Sequence, residues 1–186
     1  MARRKQPPTH WFFSHVIRVS SAEGMPYTFD NIPALHDGHR AKFTRNKIKY
    51  AHDLKLVVTT ERAYLKTGDY AVKGYENVVA VERKELGDAF TSFTTNHERF
   101  ERELGRLAEF QRSFVVIEDT LDVLMNPRKK YGDAWRSEAR PESVFGSIVA
   151  WQMRYPTQWL FAGSRRTAEI YTFAIFERAA REGMFG

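Results

Sequence analysis

The hydrophobic pattern of the chain changes repeatedly between short apolar runs, which are typical of buried strands, and helical periodicity. Five runs predict strands, at residues 16–19, 54–59, 78–81, 114–117 and 159–161. Helical spacing of apolar residues predicts helices around residues 100–108, at 143–155 and at 165–181, the last one ended by Gly183. Strands that alternate with helices predict an α/β fold.

Charge is unevenly distributed between these elements. The chain has 29 Lys and Arg and 23 Asp and Glu, which gives a formal net charge of +6. Residues 1–18 carry four of these bases and no acid, and the irregular segment 30–53 contains a second stretch, Arg40, Lys42, Arg45, Lys47 and Lys49, also without acids. A polar connection at 126–141 adds Arg128, Lys129 and Lys130. Such clusters fit either phosphate-binding surfaces or solvated faces.

Residue content excludes several kinds of site. The 186-residue chain has no cysteine, so disulfides, thiolate zinc sites and cysteine nucleophiles are impossible. The six histidines lack zinc-site spacing, which leaves carboxylates as the expected metal ligands. No apolar run is long enough to span a membrane, and no leucine-rich signal follows the basic start. We therefore expect an intracellular protein with no membrane partner.

The candidate chemistry lies between the second and fourth predicted strands. Gly68-Asp69-Tyr70 forms a turn into an extended segment, and residues 81–88, which read VERKELGD, continue the strongest apolar run. Because side chains alternate along a strand, Glu82 and Lys84 share one face and Arg83 lies on the other. A hairpin can bring the Asp69 carboxylate beside Glu82, where the two can bind Mg²⁺. Taken alone, the pattern also fits a solvated surface ion pair.

The complete string is more specific. Gly68-Asp69-Tyr70 followed by Glu82-Arg83-Lys84 and Asp88 resembles the G-D-x(n)-E-R-K-x-x-x-D signature of the XPF-type (ERCC4-like) structure-specific endonuclease domain, and the resemblance extends over residues 15–182. It implies a restriction-endonuclease-like fold, with a central mixed sheet flanked by helices. It also implies cleavage of DNA at branches, flaps or junctions with Mg²⁺ or Mn²⁺.

The resemblance also implies roles for single residues. Asp69 and Glu82 are expected to bind the metal, Lys84 to orient or activate the attacking water, and Asp88 to be a supporting acid. Arg83, part of the signature, either contacts a phosphate or forms a supporting ion pair.

The family segment D-x-R-E-x-x-P-Y is incomplete in this chain. Residues 20–27 read SSAEGMPY, so Ser20 replaces the leading acid and Ala22 replaces the arginine, whereas Glu23 is retained. Glu23 either adds a metal ligand or begins a turn.

These observations predict a basic tail at 1–14, a nuclease domain at 15–182 with a basic insertion at about 30–53, and no helix-hairpin-helix module. The leading hypothesis is a metal-dependent DNA endonuclease that acts in repair or recombination. A noncatalytic DNA-binding or scaffolding relative is the alternative, and a nuclease of RNA would use the same residues. A homodimer through the last two helices, or a protein partner, is a family expectation.

Overall fold

The computed structural model describes residues 10–32 and 55–186, so the basic stretch 40–49 lies outside the described residues. Within the described part there are six strands and six α-helices. The strands are β1 (His10–Ser20), β2 (Lys55–Ala63), β3 (Tyr70–Val72), β4 (Val79–Lys84), β5 (Arg112–Ile117) and β6 (Gln158–Phe161). The helices are α1 (Leu86–Phe93), α2 (His97–Leu107), α3 (Leu121–Met125), α4 (Pro127–Tyr131), α5 (Pro141–Arg154) and α6 (Arg165–Arg181).

The strands form one mixed sheet in the order β2-β1-β3-β4-β5-β6. β3 is antiparallel to both of its neighbours, whereas β1 is parallel to β2, and β4, β5 and β6 are parallel to one another. This sheet with its flanking helices confirms the predicted α/β class. Parallel strands have their carboxyl ends at one edge of a sheet, and loops at that edge are where α/β proteins place their sites.

Helices cover both faces of the sheet and define two apolar layers. Val79 and Val81 of β4 pack in the layer that contains α6, and Ala80 packs in the layer that contains α1, α2 and α5. The alternation continues along the strand. Glu82 and Lys84 therefore lie on the α2 face, and Arg83 lies on the α6 face.

Four chain segments meet at the carboxyl edge. The Ser20 N–H at the end of β1 donates to the Asp69 carbonyl at 2.8 Å, and the Glu118 N–H after β5 donates to the Lys84 carbonyl at 3.0 Å. Gly68 has a positive φ of 79°, and a Cβ there would come within 3.3 Å of the Val81 carbonyl oxygen. The turn before Asp69 therefore requires glycine.

The structure differs from the prediction after β4 and in the polar connection. The sequence predicts an extended segment through Asp88, but β4 ends at Lys84 and α1 begins at Leu86, because Leu86, Ala89, Phe90 and Phe93 recur with helical spacing and are buried. The polar connection at 126–141 contains α4 and a 3₁₀ turn, Gly132–Ala134. The predicted helix 165–181 is confirmed, with the Ser164 hydroxyl accepting from the Thr167 N–H as its N-cap.

Within the described ranges, no helix meets the length and apolarity needed to span a bilayer.

Candidate active site

Asp69 lies directly beside the end of β4. Its backbone N–H donates to the Val81 carbonyl at 2.9 Å, and its Oδ2 accepts from the Arg83 N–H at 2.8 Å. Burial and the negative charge of Glu82 raise the pKa of Asp69 well above its usual range. The hairpin of β3 and β4 thus brings the two predicted carboxylates together.

Glu82 and Lys84 form a buried ion pair on the α2 face. The Lys84 Nζ is 2.5 Å from the Glu82 Oε1, and the two side chains are only 13% and 6% exposed. The same ammonium lies 5.0 Å from the centre of the Phe100 ring. Burial favours a lower pKa for Lys84, but the adjacent Glu82 carboxylate outweighs it and raises that pKa, so the side chain remains a cation.

A third carboxylate, missed in the sequence, reaches this group from α2. Burial together with the negative charge of Glu82 raises the pKa of Glu103 to about 7. Three residues further along the helix, the Arg106 Nε donates to the Thr67 Oγ1 at 3.1 Å. The available signal was the spacing, because Glu103 follows the buried Phe100 by three residues and so lies on the same side of the helix.

The oxygen atoms present suit a hard divalent cation. Within residues 10–32 and 55–186, no group of three or more His, Asp or Glu side chains has metal-site geometry. Mg²⁺ does not need such a cage, since proteins commonly hold it through one or two carboxylates and leave the other positions to water and phosphate. Asp69 and Glu82 would be the two carboxylates for such a cation, and the backbone bond of Asp69 engages only its Oδ2.

Arg83 lies on the opposite face of β4, as the alternation predicts. Its Nε is 2.6 Å from the Glu118 Oε1, its Nη1 is 3.1 Å from the Glu23 Oε1, and its Nη2 bonds to Glu85. The guanidinium also lies over the Tyr27 ring at 5.6 Å. Of the two roles left open for Arg83, the structure shows the ion pair.

Glu23 belongs to this arginine group. Besides Arg83, its Oε1 accepts from the Met25 N–H at 2.8 Å, which is the turn role considered for it. Ser20, in the position of the missing acid, uses its hydroxyl to accept from the Ala22 N–H at 3.3 Å. Metal binding by Glu23 stays a prediction.

The other predicted residues of the described ranges lie on α1 and α4. Asp88 is exposed in the first turn of α1. Arg128, Lys129 and Lys130 lie on α4, where Lys130 pairs with the buried Asp119 at the end of β5. Their roles, as a supporting acid and in DNA binding, stay predictions.

A cavity of about 530 Å³ separates the start of α1 from the connection that follows α4. Trp135 lines this cavity but is only 9% exposed. Its ring packs edge-on against Phe90 at 4.7 Å and beside Tyr131 at 5.8 Å. Trp135 is therefore mainly a core residue.

Comparison with known proteins shows the family to which this chain belongs. A search of curated proteins finds no match. Among solved structures, XPF from Aeropyrum pernix is similar, with a TM-score of 0.52 and 19% identity over 90% of this chain and 61% of that one. XPF from Aeropyrum pernix in complex with DNA has a TM-score of 0.48 and 17% identity, over 91% of this chain and 64% of that one. The structural similarity with a TM-score of 0.52 supports the fold, and this chain spans less than two thirds of the length of either solved chain.

The family model described as the ERCC4 domain matches residues 39–173, most of the chain. The chain belongs to the ERCC4 domain family.

Proposed function

We propose that this ERCC4 domain is a metal-dependent endonuclease that hydrolyses phosphodiester bonds in DNA. The observation that carries the proposal is the meeting of Asp69, Glu82 and the Lys84 ammonium at the carboxyl edge of the sheet. Two acids and one cation at this place are the groups that the family signature uses.

Asp69 and Glu82 would hold Mg²⁺ or Mn²⁺, with Asp88 as a supporting acid. When bound, such a cation polarises a phosphate oxygen and lowers the pKa of a water molecule. Burial and the repulsion between these carboxylates raise the pKa of Asp69, and a bound cation would relieve the repulsion.

Lys84 supplies fixed positive charge. Since its pKa is raised, Lys84 does not take a proton from water at neutral pH. Its N–H groups instead orient the attacking oxygen and stabilise the negative charge that develops on the phosphate. Arg83 acts from the other face by holding β4 and the 20–32 segment in place.

DNA is the proposed substrate, with branched, flap or junction structures as its preferred form. The structurally similar Aeropyrum protein is described in complex with DNA. In this chain, the exposed Arg128 and Lys129 on α4 would contact phosphates, as would the basic residues at 40–49. Counterion release from such contacts would make binding fall steeply with salt.

The test is strand cleavage with Mg²⁺ on flap, fork and plain duplex DNA, and on matched RNA. The parent protein is compared with Glu82→Gln and Lys84→Ala, and with Glu98→Gln, a control on α2 whose carboxylate is exposed. We expect the first two variants to lose cleavage of branched DNA and the control to keep it. Cleavage that survives both substitutions would contradict the proposal.

A second candidate follows from Ser20. Because serine stands where the family pattern has an acid, the chain could have become a noncatalytic DNA-binding or scaffolding relative. This candidate predicts salt-sensitive binding of DNA, no cleavage, and a melting temperature that does not change with Mg²⁺. Thermal melting with and without Mg²⁺ therefore separates the two candidates before any DNA is added.

A further inference from the structure

The cavity between the start of α1 and the connection after α4 lies at the same edge of the sheet as the candidate active site. Glu85, which lines the cavity, directly follows Lys84 at the end of β4. Glu118, which also lines it, donates its backbone N–H to the Lys84 carbonyl at 3.0 Å. The volume of about 530 Å³ is in the range of small-molecule sites. The cavity thus begins one residue beyond the side chains that we propose to act on the phosphate.

The polar lining of this cavity includes a hydrogen-bond acceptor with a free position. The Glu118 Oε1 accepts three hydrogen bonds, at 3.1, 2.6 and 3.2 Å, from Tyr27, Arg83 and Arg165. The Oε2 of the same carboxylate accepts none from residues 10–32 and 55–186, although the side chain is only 10% exposed. A carboxylate oxygen with so little access to water gains from a donor that a ligand supplies. The cavity therefore suits a ligand that carries an N–H group.

An aromatic wall closes the other side of the cavity, and its contacts fix its position. The Asp119 carboxylate accepts from the Tyr131 hydroxyl at 2.5 Å and pairs with Lys130. The Tyr131 ring lies 5.8 Å from the ring of Trp135, which packs edge-on against Phe90 at 4.7 Å. These contacts provide a rigid apolar surface, and bases of unpaired strands pack against aromatic surfaces in many proteins.

The charges of the lining disfavour an anion as the ligand. One lining residue, Arg136, is a base, and three are acids, Glu85, Glu118 and Asp119. Like charges placed next to each other are costly, so a phosphate group does not suit the cavity. A nucleobase is neutral and has apolar faces, and the amino group of cytosine or adenine donates to acceptors.

We propose that this cavity binds one unpaired base of the DNA substrate, next to the cleaved phosphate, and favours bases that carry an amino group. The inference rests on the proposed function, because it presupposes that DNA is the substrate. It adds a reason for a preference for branched DNA, since only an unpaired nucleotide can turn its base into a protein cavity without the cost of breaking a base pair.

Gly87 offers a way to fill the cavity without disturbing the core. Gly87 and Thr91 lie one turn apart on α1 and both line the cavity, and a Cβ at Gly87 would have no atom of another segment within 4 Å in the described part of the chain. Glycine is also a poor helix former, so we expect Gly87→Phe to fold. Gly146→Phe on α5 is the matched control, since Gly146 is exposed, has equally open surroundings and does not line the cavity.

Binding of labelled flap DNA in metal-free buffer, measured by fluorescence anisotropy, tests the proposal without cleavage. The unpaired arm carries an abasic site at each position in turn. For the parent and Gly146→Phe, we expect one position near the junction at which loss of the base weakens binding about tenfold. At that position, cytosine should bind about fivefold more tightly than thymine, which lacks the amino group. Gly87→Phe should bind intact DNA about tenfold more weakly than the parent and show neither difference.

Several results would contradict the base-binding role. Equal binding of abasic and intact DNA by the parent at every position would overturn it, as would an abasic penalty that Gly87→Phe retains. An abasic penalty with no preference for cytosine would overturn the part assigned to the Glu118 acceptor. If Gly87→Phe does not fold, Ala134→Trp decides the question, because Ala134 lines the cavity from the connection after α4.

The outcomes also separate this inference from the proposed function. If the parent cleaves flap DNA with Mg²⁺ but shows no abasic penalty, the nuclease stands and the base-binding cavity is wrong. If the parent neither binds nor cleaves DNA, the proposed function is wrong and the base-binding cavity falls with it.

Discussion

The two faces of β4 differ in how their carboxylates are paired. On the α6 face, Arg83 makes ion pairs with Glu23, Glu85 and Glu118, and Arg165 adds a second pair to Glu118 at 3.2 Å. Every acid of this group therefore has an arginine partner. The α6 face is built for stability, because buried charges are tolerated when they are paired and hydrogen-bonded.

On the α2 face, three carboxylates share one lysine. Lys84 is paired with Glu82, whereas Asp69 and Glu103 have no ion pair within 4 Å among the described residues. The raised pKa values of Asp69 and Glu103 express the cost of this arrangement. Neighbouring faces of one strand thus differ in their charge balance, since the balanced charges hold the edge together and the unbalanced ones form the place where we propose that a cation binds.

The largest expected effect comes from Glu82→Gln on the unbalanced face. It removes one of the two proposed ligands and the charge that Lys84 opposes, and we expect cleavage to fall by about 10³-fold or more. Single-turnover kinetics at saturating protein measure the loss, with circular dichroism as the check on folding. A Glu82→Gln variant that keeps a tenth of the parent rate would contradict the assignment of catalysis to the α2 face.

Arg83→Met on the balanced face should act mainly on stability. The arginine side chain is only 5% exposed, and its removal leaves Glu23 and Glu85 without an arginine partner and Glu118 with Arg165 alone, at a cost of about 3–5 kcal/mol. Urea denaturation measures this free energy of unfolding. Arg83→Lys should not restore it, because one ammonium cannot reproduce three separate contacts. Where the variant is still folded, its cleavage rate should fall less than that of Glu82→Gln.

The next largest effect is expected in the pH dependence of stability, which should differ between the two faces of β4. Glu103 has a folded pKa of about 7, above its ordinary value of 4.5, so its contribution to stability is complete below about pH 4.5 and is lost as the pH rises through 7. In metal-free buffer, the Glu103→Gln variant should not lose this stability, because glutamine has no carboxyl group that titrates. Its free energy of unfolding relative to the parent should rise by about 1–3 kcal/mol between pH 5 and pH 8. A difference that does not vary with pH would show that Glu103 is not held in this way.

The smallest expected effect is a gain from Ser20→Asp. Ser20 is bonded through its N–H to the Asp69 carbonyl, so a carboxylate there adds a charge near the proposed ligands. We expect Mg²⁺ to bind about tenfold more tightly and the metal-free protein to melt at a lower temperature, since affinity for such cations rises with ligand charge. Isothermal titration and thermal melting measure the two changes. Unaltered affinity would mean that position 20 does not face the cation.

Much of the site could be predicted because its elements are local. The G-D-Y turn and the E-R-K strand lie 12 residues apart in one hairpin, and strand alternation alone assigns Arg83 to the opposite face from Glu82. The position of Asp88 was predicted wrongly, since extending the strand ignored the helical spacing of the apolar residues after Lys84. The basic residues at 40–49 lie outside the described residues, so their role in binding DNA stays a prediction.

Sequence by itself determined the order of the longer strands and of α2, α5 and α6, the glycine that the turn before Asp69 needs, and the division of Glu82, Arg83 and Lys84 between two faces. These follow from periodicity and backbone sterics, which act over a few residues. Only the tertiary structure decided that Arg83 pairs with Glu23, 60 residues before it, and Glu118, 35 residues after it. It alone also brought Glu103 to Glu82, because helix packing across the sheet sets which distant charges come together.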